Sequence, residues 1–521
     1  MTQQTDDPAT LTTERTVALE GVAAVDPQRP AIWSQDGDRT FGELNARANQ
    51  LARALQRRGL APGDAVALIC ANRPEFAEVL FAALRSGLRL TPINWHLSAE
   101  EAAYIVQDCS AKALIAHDRF ATVADGVARQ CSDATARLAI AGPIEGFECY
   151  DAALDAEADD NLESPVAGTT MLYTSGTTGR PKGVHRNTVA RASTTMVVAA
   201  DYRPGDDVHL CTGPAYHAAP MALSLTGPLA MGVTVVLMDG WDPEETLRLI
   251  ERHRVTHTHM VPTMFHRLLG LDTAVRERYD ASSMRFILHG AAPCPVQVKQ
   301  DLITWLGPIV HEYYAATEGG GTFIGPEEWL SKPGSVGRPM VGQVVEVWGE
   351  DETPLAPGEV GTVYFLAPEV GRFEYYNDHD KTAKTYRGDY FTLGDMGYFD
   401  EDGFLFLTGR TAELIISGGV NIYPAEVDAA LLMHPAVADV ATVGVPNHEW
   451  GEEVKSVVQL RPGHAPSPGL AAELIAFARE HLAHFKTPRT VDFDEELPRH
   501  DTGKIYRRLV RDRYWNDGRS L

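Results

Sequence analysis

Helical patterns and short apolar runs alternate in the chain from residue 41 to about residue 116. An amphipathic helical stretch comes first, Gly63 follows it, and the strand-like run AVALIC occupies residues 65–70. Similar apolar runs recur as VTVVLM at 233–238, RFILHG at 285–290 and PIVHEYY at 308–314. Short apolar runs between helices are typical of buried parallel strands. The pattern predicts an α/β fold of layered sheets with helices on both faces. The predicted core stripe of the first helix comprises Leu44, Ala48, Leu51 and Leu55.

The pattern changes between about residues 331 and 406, where strands are punctuated by Gly and Pro, as in VGQVVEVWG and GEVGTVYFL. This change predicts a β-rich subdomain. After Gly409 and Arg410 a smaller unit of about a hundred residues begins, which is a normal domain size. We therefore predict a large multi-subdomain N-terminal domain over residues 1–410 and a small mobile α+β C-terminal domain over residues 411–521.

Charge and composition exclude several classes of function. The formal net charge is -25, which repels nucleic acid over most of the surface and predicts no nucleic-acid partner. No apolar run approaches the roughly 18 residues that span a bilayer, so no integral membrane segment is expected. The polar, acidic start lacks a basic leader region, which predicts a cytoplasmic protein. The 6 cysteines are scattered without a CxxC pair, so they predict neither disulfides nor a thiolate metal site.

The strongest local motif is YTSGTTGRPKG at residues 173–183. Hydroxyls, glycines that allow close backbone approach, and a lysine suit a loop that cradles phosphates. It differs from a Walker A loop because Gly179 is followed by Arg-Pro-Lys, and Pro181 removes a backbone donor. The alternative is a solvated linker. The candidate phosphate-binding residues are Thr174, Ser175, Gly176, Thr177, Thr178 and Lys182.

With this loop the chain resembles the adenylate-forming superfamily of acyl-CoA ligases, luciferases and adenylation domains, from about residue 41 to residue 513. Two further family motifs recur in order, GAAP at 290–293 and YYAATE at 313–318. The resemblance implies that Tyr314 stacks on adenine, that Thr317 contacts the α-phosphate, and that Glu318 binds Mg²⁺. Thr174 is the second implied metal ligand. The implied adenine border consists of Gly290, Ala291 and Ala292.

The segment GDMGYFDEDGFLFLTGR at residues 394–410 resembles the part of the family that holds the ribose. By that resemblance Asp395 accepts hydrogen bonds from both ribose hydroxyls, and Arg410 makes a second contact. Asp400 and Asp402 lie in DEDG and are interpreted as turn formers.

In the C-terminal part, IISGGVNIYPAEV at 415–427 resembles the hairpin that enters the active site for the second half-reaction. The resemblance implies that Gly418 and Gly419 line a pantetheine tunnel, and that Lys504, in PRHDTGKIYRR, is the catalytic lysine. The alternative for Lys504 is one more charge in a basic tail. Candidate contacts to the coenzyme A nucleotide are Trp450, Phe485, Lys486 and Arg489, although a solvated basic face is an equal alternative for the stretch around residue 486.

The implied activity is a two-step acyl-CoA ligase that uses ATP, Mg²⁺ and coenzyme A. A small carboxylic acid would first become an acyl-AMP, and the thiol of coenzyme A would then displace AMP after the small domain re-docks. Since no carrier domain follows Lys504, we expect the acceptor to be a separate thiol.

The stretch GPAYHAAPMAL at residues 213–223 bears on the choice of acid. His217 occupies the place where acyl-CoA ligases usually carry His, and the absence of a nearby Asp disfavours an amino-acid substrate. A satisfied core histidine is the alternative. Small residues predict room for a bulky apolar acid, although clustered glycines also serve turns. The predicted acyl pocket comprises His217, Ala218, Ala219, Met221, Gly319, Gly320 and Gly321.

Ala412 departs from the family pattern, which carries Asp or Lys at this hinge position. Because a polar hinge residue is missing, one hypothesis is a half-reaction enzyme that mainly converts to acyl-CoA an acyl-AMP made by a partner adenylating ligase. A complete ligase that tolerates Ala412 is favoured over this hypothesis.

Two further classes stay open as alternatives. One is a non-catalytic nucleotide-binding relative. The other is a metal-dependent hydrolase built on His253, His257 and His259, which the absence of a nearby carboxylate disfavours. The sequence leaves a homodimer open.

Overall fold

The fold is known from a computed structural model that describes residues 18–174, 181–186, 188, 194–410, 413–418, 420–499 and 505–515. Helices and strands are labelled below in chain order. In the described part of the chain, no helix is both long enough and apolar enough to cross a bilayer.

The first sheet has six strands in the order β7-β6-β5-β3-β4-β8, and each neighbouring pair is parallel. Val66 and Leu68 face one buried cluster while Ala67 and Ile69 face another, so both faces of the sheet are covered. Its strands are β3 (Ala65–Ile69), β4 (Arg89–Pro92), β5 (Ala111–His117), β6 (Ala136–Ile140), β7 (Glu148–Cys149) and β8 (Thr169–Thr170). The helices of this region are α1 (Ala18–Val25), α2 (Phe41–Arg57), α3 (Pro74–Arg85), α4 (Ala99–Asp108), α5 (Ala121–Gln130) and α6 (Tyr150–Asp155).

Helix α2 confirms the predicted amphipathic stretch. Thr40 begins it with a capping box, because its side chain accepts from the backbone of Glu43 while the Glu43 carboxylate accepts from the backbone of Thr40. Leu44, Ala48 and Leu51 are fully buried. The 3.6-residue periodicity therefore identified the face that packs on the first sheet.

The central sheet has nine strands in the order β17-β16-β15-β14-β13-β11-β12-β1-β2. Its middle is parallel, as predicted, and antiparallel hairpins close both edges. Its strands are β1 (Pro30–Trp33), β2 (Arg39–Thr40), β11 (Val208–Cys211), β12 (Thr234–Leu237), β13 (His257–Met260), β14 (Phe286–His289), β15 (Val310–Ala316), β16 (Gly319–Ile324) and β17 (Arg338–Pro339). The helices of this region are α7 (Thr194–Ala200), a π-helix (Pro220–Thr226), α8 (Gly227–Ala230), α9 (Pro243–His253), α10 (Pro262–Leu269), α11 (Thr273–Arg276), α12 (Val296–Leu306) and α13 (Pro326–Ser331).

Two antiparallel sheets form the predicted β-rich region. The smaller has the order β20-β10-β9, and the larger has the order β18-β19-β22-β21 with β23 paired to β22. Their strands are β9 (Leu172–Thr174), β10 (Lys182–His185), β18 (Val345–Trp348), β19 (Gly361–Leu366), β20 (Glu374–Tyr375), β21 (Tyr386–Arg387), β22 (Tyr390–Phe399) and β23 (Leu405–Arg410). Helix α14 (His379–Thr385) lies between β20 and β21 along the chain.

The C-terminal sheet has the order β25-β24-β27-β26, with β28 paired to β27. The chain leaves the β-rich sheet at Arg410 and enters this sheet at Ile415. The boundary between residues 410 and 411 stays a prediction, because residues 411 and 412 lie outside the described part of the chain. The elements are β24 (Ile415–Ser417), β25 (Val420–Ile422), α15 (Pro424–Leu432), β26 (Val437–Asn447), β27 (Gly451–Leu460), α16 (Pro468–His481), β28 (Thr490–Asp494) and α17 (Arg507–Trp515).

Candidate active site

Asp395 and Arg410 face each other across neighbouring strands. They are direct register partners in the β22–β23 ladder, and Nε of Arg410 donates to Oδ1 of Asp395 at 2.8 Å. The hydroxyl of Tyr314 donates to the other oxygen, Oδ2, at 2.7 Å. Burial, together with this carboxylate, raises the pKa of Tyr314 well above its usual range, so the hydroxyl remains a donor. The structure thus brings the three residues predicted around the nucleoside into one cluster.

Arg410 stays charged in this cluster. Burial is the largest single influence and opposes its charge, but the charge and hydrogen bond of Asp395, together with the charge of Glu413, outweigh burial and raise the pKa of Arg410. Asp395 is itself only 7% exposed. A buried carboxylate that accepts from two donors is held in a fixed orientation, and a carboxylate has about four acceptor positions, so it can still receive further hydroxyl donors.

Thr317 and Glu318 form the two-residue turn between β15 and β16. Arg186, which follows β10, donates to the carbonyl oxygens of both turn residues. The hydroxyl of Tyr375 in β20 donates to Oε1 of Glu318 at 2.9 Å. The turn is therefore anchored from two strands of the smaller antiparallel sheet. Sequence reasoning missed Arg186 and Tyr375, and neither carries a local signal, since both act on a turn far away in sequence.

Thr174 and Lys182 are register partners at the ends of β9 and β10, on either side of the phosphate-loop motif. Burial, with the hydrogen bond and charge of Lys381 as the second cause, lowers the pKa of Lys182 to about 8. The predicted loop residues Ser175, Gly176, Thr177 and Thr178 lie outside the described part of the chain and stay predictions.

The chemistry of Glu318 fits a Mg²⁺ ion that is bound jointly by protein and phosphates. Oε1 accepts from Tyr375, while Oε2 makes no hydrogen bond to any described residue. Within the described residues, no group of three or more His, Cys, Asp or Glu side chains could hold a metal by itself. Mg²⁺ is typically bound through one or two protein oxygens and substrate phosphates, so Glu318 and the hydroxyl of Thr174 are suitable ligands.

The predicted adenine border follows the carboxyl end of β14. A Cβ on Gly290 would lie 2.6 Å from the ring of Tyr313, so only glycine fits against this ring. Ala291 has a φ of +67°, a conformation that a non-glycine residue rarely adopts, and its side chain is exposed. Ala292 is partly buried beside it. Backbone strain of this kind often accompanies a functional site.

The loop before His217 is held by Asn72, a residue that sequence reasoning missed. Nδ2 of Asn72 donates to the carbonyl oxygen of Gly213 at 2.8 Å and to that of Met238 at 3.0 Å, and Oδ1 accepts from the backbone of Ala215 at 2.8 Å. Asn72 follows β3 of the first sheet and is 8% exposed. It fixes the loop across the boundary between two sheets.

His217 is partly buried, and its ring lies 4.5 Å from the ring of Tyr216, centroid to centroid. Its backbone oxygen accepts from Met221 at 3.0 Å, at the entry to the π-helix. π-helical turns are rare and frequently occur at functional sites.

An apolar cluster between α7, the π-helix and the carboxyl half of β15 is the candidate acyl pocket. It contains Ala219, as predicted, and Ala218 precedes it in the first turn of the helix. Met221 packs instead into the larger cluster against the first sheet, together with Leu225. Partly buried members of the candidate pocket are Met196, Ala199, Ala219, Leu223, Ala315 and Phe323.

The three glycines predicted opposite Ala219 begin β16. Gly319 lies against Arg186, whose Nη2 would be 3.1 Å from an added Cβ. A Cβ on Gly320 would lie 2.6 Å from Cγ of Phe365, and one on Gly321 would lie 2.9 Å from Cε of Met340. Close approach of these side chains gives the glycines a packing role, which the sequence analysis did not foresee, and the prediction that they line the acyl pocket stays a prediction.

Three of the predicted coenzyme A residues meet at the β24–β25 turn. Gly418 has a φ of +59°, donates its backbone N–H to the carbonyl of Trp450 at 2.8 Å, and leaves no room for a Cβ beneath the Trp450 ring. The guanidinium of Arg489 lies 5.7 Å from the centroid of the same ring. Phe485 is 51% exposed, and Lys486 is paired with Glu426 at 2.6 Å. Trp450, which is 41% exposed, and the exposed Arg489 therefore form a cation–aromatic pair open to solvent, whereas the charge of Lys486 is already paired.

Gly419, Ala412 and Lys504 lie outside the described part of the chain, so their roles stay predictions. Two histidines of the alternative hydrolase site, His257 and His259, have contacts inside the protein. Nε2 of His257 contacts the carbonyl of Ala200 at 2.6 Å, and Nε2 of His259 contacts the hydroxyl of Tyr313 at 3.1 Å. These contacts belong to the interior of the central sheet.

The chain matches the models of two protein families. The profile of the AMP-binding enzyme matches residues 19–375, and that of the AMP-binding enzyme C-terminal domain matches residues 426–504. The chain is 32% identical over 504 residues to the fatty acid–[acyl-carrier-protein] ligase ScoC of Streptomyces coeruleorubidus, covering 94% of this chain and 95% of the relative.

Two further similarities cover nearly the whole chain. The chain is 32% identical over 499 residues to the indoleacetate–CoA ligase of Aromatoleum aromaticum, covering 94% of this chain and 96% of the relative. Its fold is similar to the crystal structure of the anthranilate CoA ligase AuaEII in complex with anthranoyl-AMP, with a TM-score of 0.85, 25% identity, and coverage of 96% of this chain and 97% of that chain.

Proposed function

The chain belongs to the AMP-binding enzyme family of adenylate-forming enzymes, and from that premise we propose that it is an ATP-dependent, AMP-forming acid–CoA ligase for a bulky apolar carboxylic acid. The observation that carries the proposal is the cluster of Tyr314, Asp395 and Arg410 beside the anchored turn of Thr317 and Glu318. One part of this site suits a ribose and its base, and the other suits phosphates with their metal.

In the first step, a carboxylate oxygen of the acid forms a bond to the α-phosphorus of ATP. The bond from that phosphorus to the bridging oxygen breaks, its electron pair stays on that oxygen, and pyrophosphate leaves. In this proposal Thr317 donates to the α-phosphate, and Lys182, the register partner of Thr174, adds positive charge beside the phosphates. Mg²⁺, bound at Glu318, would supply charge neutralisation for the phosphates.

In the second step, the sulfur of coenzyme A forms a bond to the acyl carbon, AMP leaves with the electron pair of the broken C–O bond, and the thiol loses its proton. Trp450 and Arg489 are the described residues best suited to the nucleotide of coenzyme A, since an aromatic face and a cation suit an adenine and a phosphate.

The candidate acyl pocket supports an aryl or extended acyl group. Ala199, Ala219 and Ala315 contribute small side chains to an otherwise apolar cluster. Small side chains leave volume for the ligand, and an apolar lining favours an apolar ligand. The similar proteins act, by their names, on indoleacetate, anthranilate and fatty acids, which fall in this range.

The test is mass spectrometry of the products formed from ATP, coenzyme A and a panel of acids, with acyl-AMP and acyl-CoA scored separately. We expect thioester from indoleacetate, anthranilate or a medium- to long-chain fatty acid, and none from acetate or from glycine. Formation of glycyl-AMP, or of neither product from every acid, would contradict the proposal. The second result would favour a non-catalytic nucleotide-binding relative.

A carrier protein is the second candidate acceptor, because one relative is a ligase for an acyl-carrier protein. Both acceptors present the same phosphopantetheine thiol, so the chemistry at the acyl carbon is identical. Replacing coenzyme A by a holo acyl-carrier protein in the same assay separates them. We expect coenzyme A to be the faster acceptor, because Arg489 over Trp450 offers a site for its nucleotide.

The half-reaction hypothesis prompted by Ala412 needs one more arm in this experiment. Supplying a preformed acyl-AMP measures thioester formation alone, and pyrophosphate release from ATP and acid measures adenylation alone. Comparable rates of the two steps would support a complete ligase, and a slow first step would support dependence on a partner ligase.

A further inference from the structure

Two lysines from different elements approach the same aromatic ring near the phosphate-loop motif. Nζ of Lys182, in β10, lies 5.8 Å from the ring centroid of Tyr375, and Nζ of Lys381, in α14, lies 5.4 Å from it. Both ammonium groups therefore lie over one ring, and the charge of Lys381 is, after burial, among the causes that lower the pKa of Lys182. Like charges repel each other, and an anion bound beside both would reduce the repulsion while both stay protonated.

The described part of the chain supplies little negative charge to this lysine pair. Oδ2 of Asp378 lies 3.9 Å from Nζ of Lys182, at the limit of an ion pair, and Lys381 makes no ion pair with a described carboxylate. The pair is therefore short of anions in a chain whose formal net charge is -25. Such a local excess of positive charge points to an anionic ligand.

The neighbours of the pair indicate which ligand it faces. Lys182 is the register partner of Thr174, the residue that begins the phosphate loop. Tyr375, whose ring lies under both ammonium groups, donates its hydroxyl to Glu318. Lys182 is thus paired with the residue that precedes the predicted phosphate loop, and the ring under both lysines belongs to the residue that holds the Glu318 carboxylate.

We propose that Lys381 is a second phosphate-binding residue, which acts with Lys182 on the β- and γ-phosphates of ATP and on the pyrophosphate that leaves. This inference rests on the proposed function. When the bond from the α-phosphorus to the bridging oxygen breaks, its electron pair moves onto the pyrophosphate, and two cations beside this group stabilise the added charge. AMP lacks both outer phosphates, so Lys381 should contribute nothing to its binding.

Lys381 is not needed to hold its own helix. The side chain of Asp378 caps α14 by accepting from the backbone of residue 381, and Oγ1 of Thr382 both donates to the backbone oxygen of Asp378 and accepts from the backbone of Tyr375. None of these bonds uses the ammonium group of Lys381. Lys384, exposed on the same helix, offers a matched control for the loss of one lysine charge.

The test is isothermal titration of the full chain with magnesium pyrophosphate and, separately, with AMP. We expect Lys381→Gln to weaken pyrophosphate binding about tenfold, the loss of a charge-assisted contact, and to leave AMP affinity within about twofold. Lys381→Arg should recover most of the pyrophosphate affinity, and Lys384→Gln should match the wild type. Thermal unfolding midpoints verify that each variant is folded. If Lys381→Gln is not folded, Lys381→Met replaces it and should show the same loss of pyrophosphate affinity, whereas Lys381→Arg should bind pyrophosphate within about threefold of the wild type.

The inference is overturned if Lys381→Gln binds pyrophosphate as tightly as Lys384→Gln does, or if AMP binding falls by the same factor as pyrophosphate binding. A wild type that does not bind pyrophosphate also overturns it. A wild type that binds ATP and pyrophosphate normally but forms no thioester from any acid would refute the proposed function instead, and would leave the role of Lys381 in phosphate binding supported.

Discussion

Asp395 offers the sharpest test of the nucleoside site. Its carboxylate is 7% exposed, accepts from Tyr314 at Oδ2 and from Arg410 at Oδ1, and would receive two ribose hydroxyls at its remaining acceptor positions. Asp395→Asn keeps the shape of the side chain but removes its charge and replaces one acceptor by an amide donor. The substitution therefore tests the carboxylate and not the space it fills.

The expected loss follows from the number of bonds involved. A hydrogen bond to a charged group contributes about 1.5 to 3 kcal/mol, so two ribose hydroxyls on one carboxylate could contribute about 3 to 6 kcal/mol. The amide keeps one acceptor oxygen, so we expect about half of this, about 1.5 to 3 kcal/mol, to be lost. Since about 1.4 kcal/mol is a factor of ten, AMP should bind about ten- to a hundredfold more weakly.

The assay is a double-mutant cycle between the protein and the nucleotide. Affinities for AMP and for 2′,3′-dideoxy-AMP are measured by calorimetry with the wild type and with Asp395→Asn, and the exposed Asp389→Asn near the start of β22 is the control. The wild type should prefer AMP strongly, whereas the variant should keep only about half of that preference, expressed as a free energy. If the variant weakens both nucleotides by the same factor, Asp395 does not bind the ribose and the reasoning is wrong.

Three other substitutions probe separate parts of the molecule. Lys504→Ala, at a position assigned by family resemblance, should slow acyl-AMP formation far more than thioester formation from supplied acyl-AMP, and equal losses in both steps would exclude this role. Gly320→Ala should lower the unfolding free energy by about 1 to 3 kcal/mol, because φ is +74° and the new Cβ would overlap the Phe365 ring. Gly388 has no neighbour within 4 Å, so Gly388→Ala should lower the unfolding free energy less when both variants are measured by urea titration. Burial lowers the pKa of His259 to about 4, below the roughly 6.5 of an unfolded histidine. The contribution of the neutral His259 ring to folding stability is therefore fully present above about pH 6.5. This contribution is lost as the pH falls toward about 4, by up to about 3 kcal/mol. His259→Gln should therefore reduce the fall in the urea midpoint between pH 7.5 and 5, and an unchanged fall would show that other groups cause it.

The sequence predicted the features that local periodicity and motif order determine. The buried face of α2 and the strands β12, β14 and β15 follow from patterns within short segments. The family resemblance assigned Asp395 and Arg410 to one ribose site, and the two residues lie side by side. A helical stripe is visible in sequence because burial of one face requires apolar residues at fixed spacing. These elements could therefore be named before any coordinates were known.

Features that depend on contacts between distant segments could not be predicted in this way. Lys299 belongs to no motif, yet it is fully buried and its Nζ donates to Glu312 at 2.7 Å. Tyr375 carried no motif, and its role appears only when β20 pairs with β10 beside the turn that holds Glu318. A buried polar group is recognisable only by its partner, and the partner is fixed by the tertiary fold.

Asn72 has a consequence for how such enzymes could be recombined. Its amide, 141 residues from Gly213 along the chain, belongs to the first sheet but holds the loop that carries His217. An exchange of the acid-binding segment between two related enzymes would import a loop without the amide that shaped it. A chimera with a crossover between residues 72 and 213 should therefore need the donor's residue at position 72 as well as the donor's loop. Substrate preference would then depend on two separated stretches of the gene.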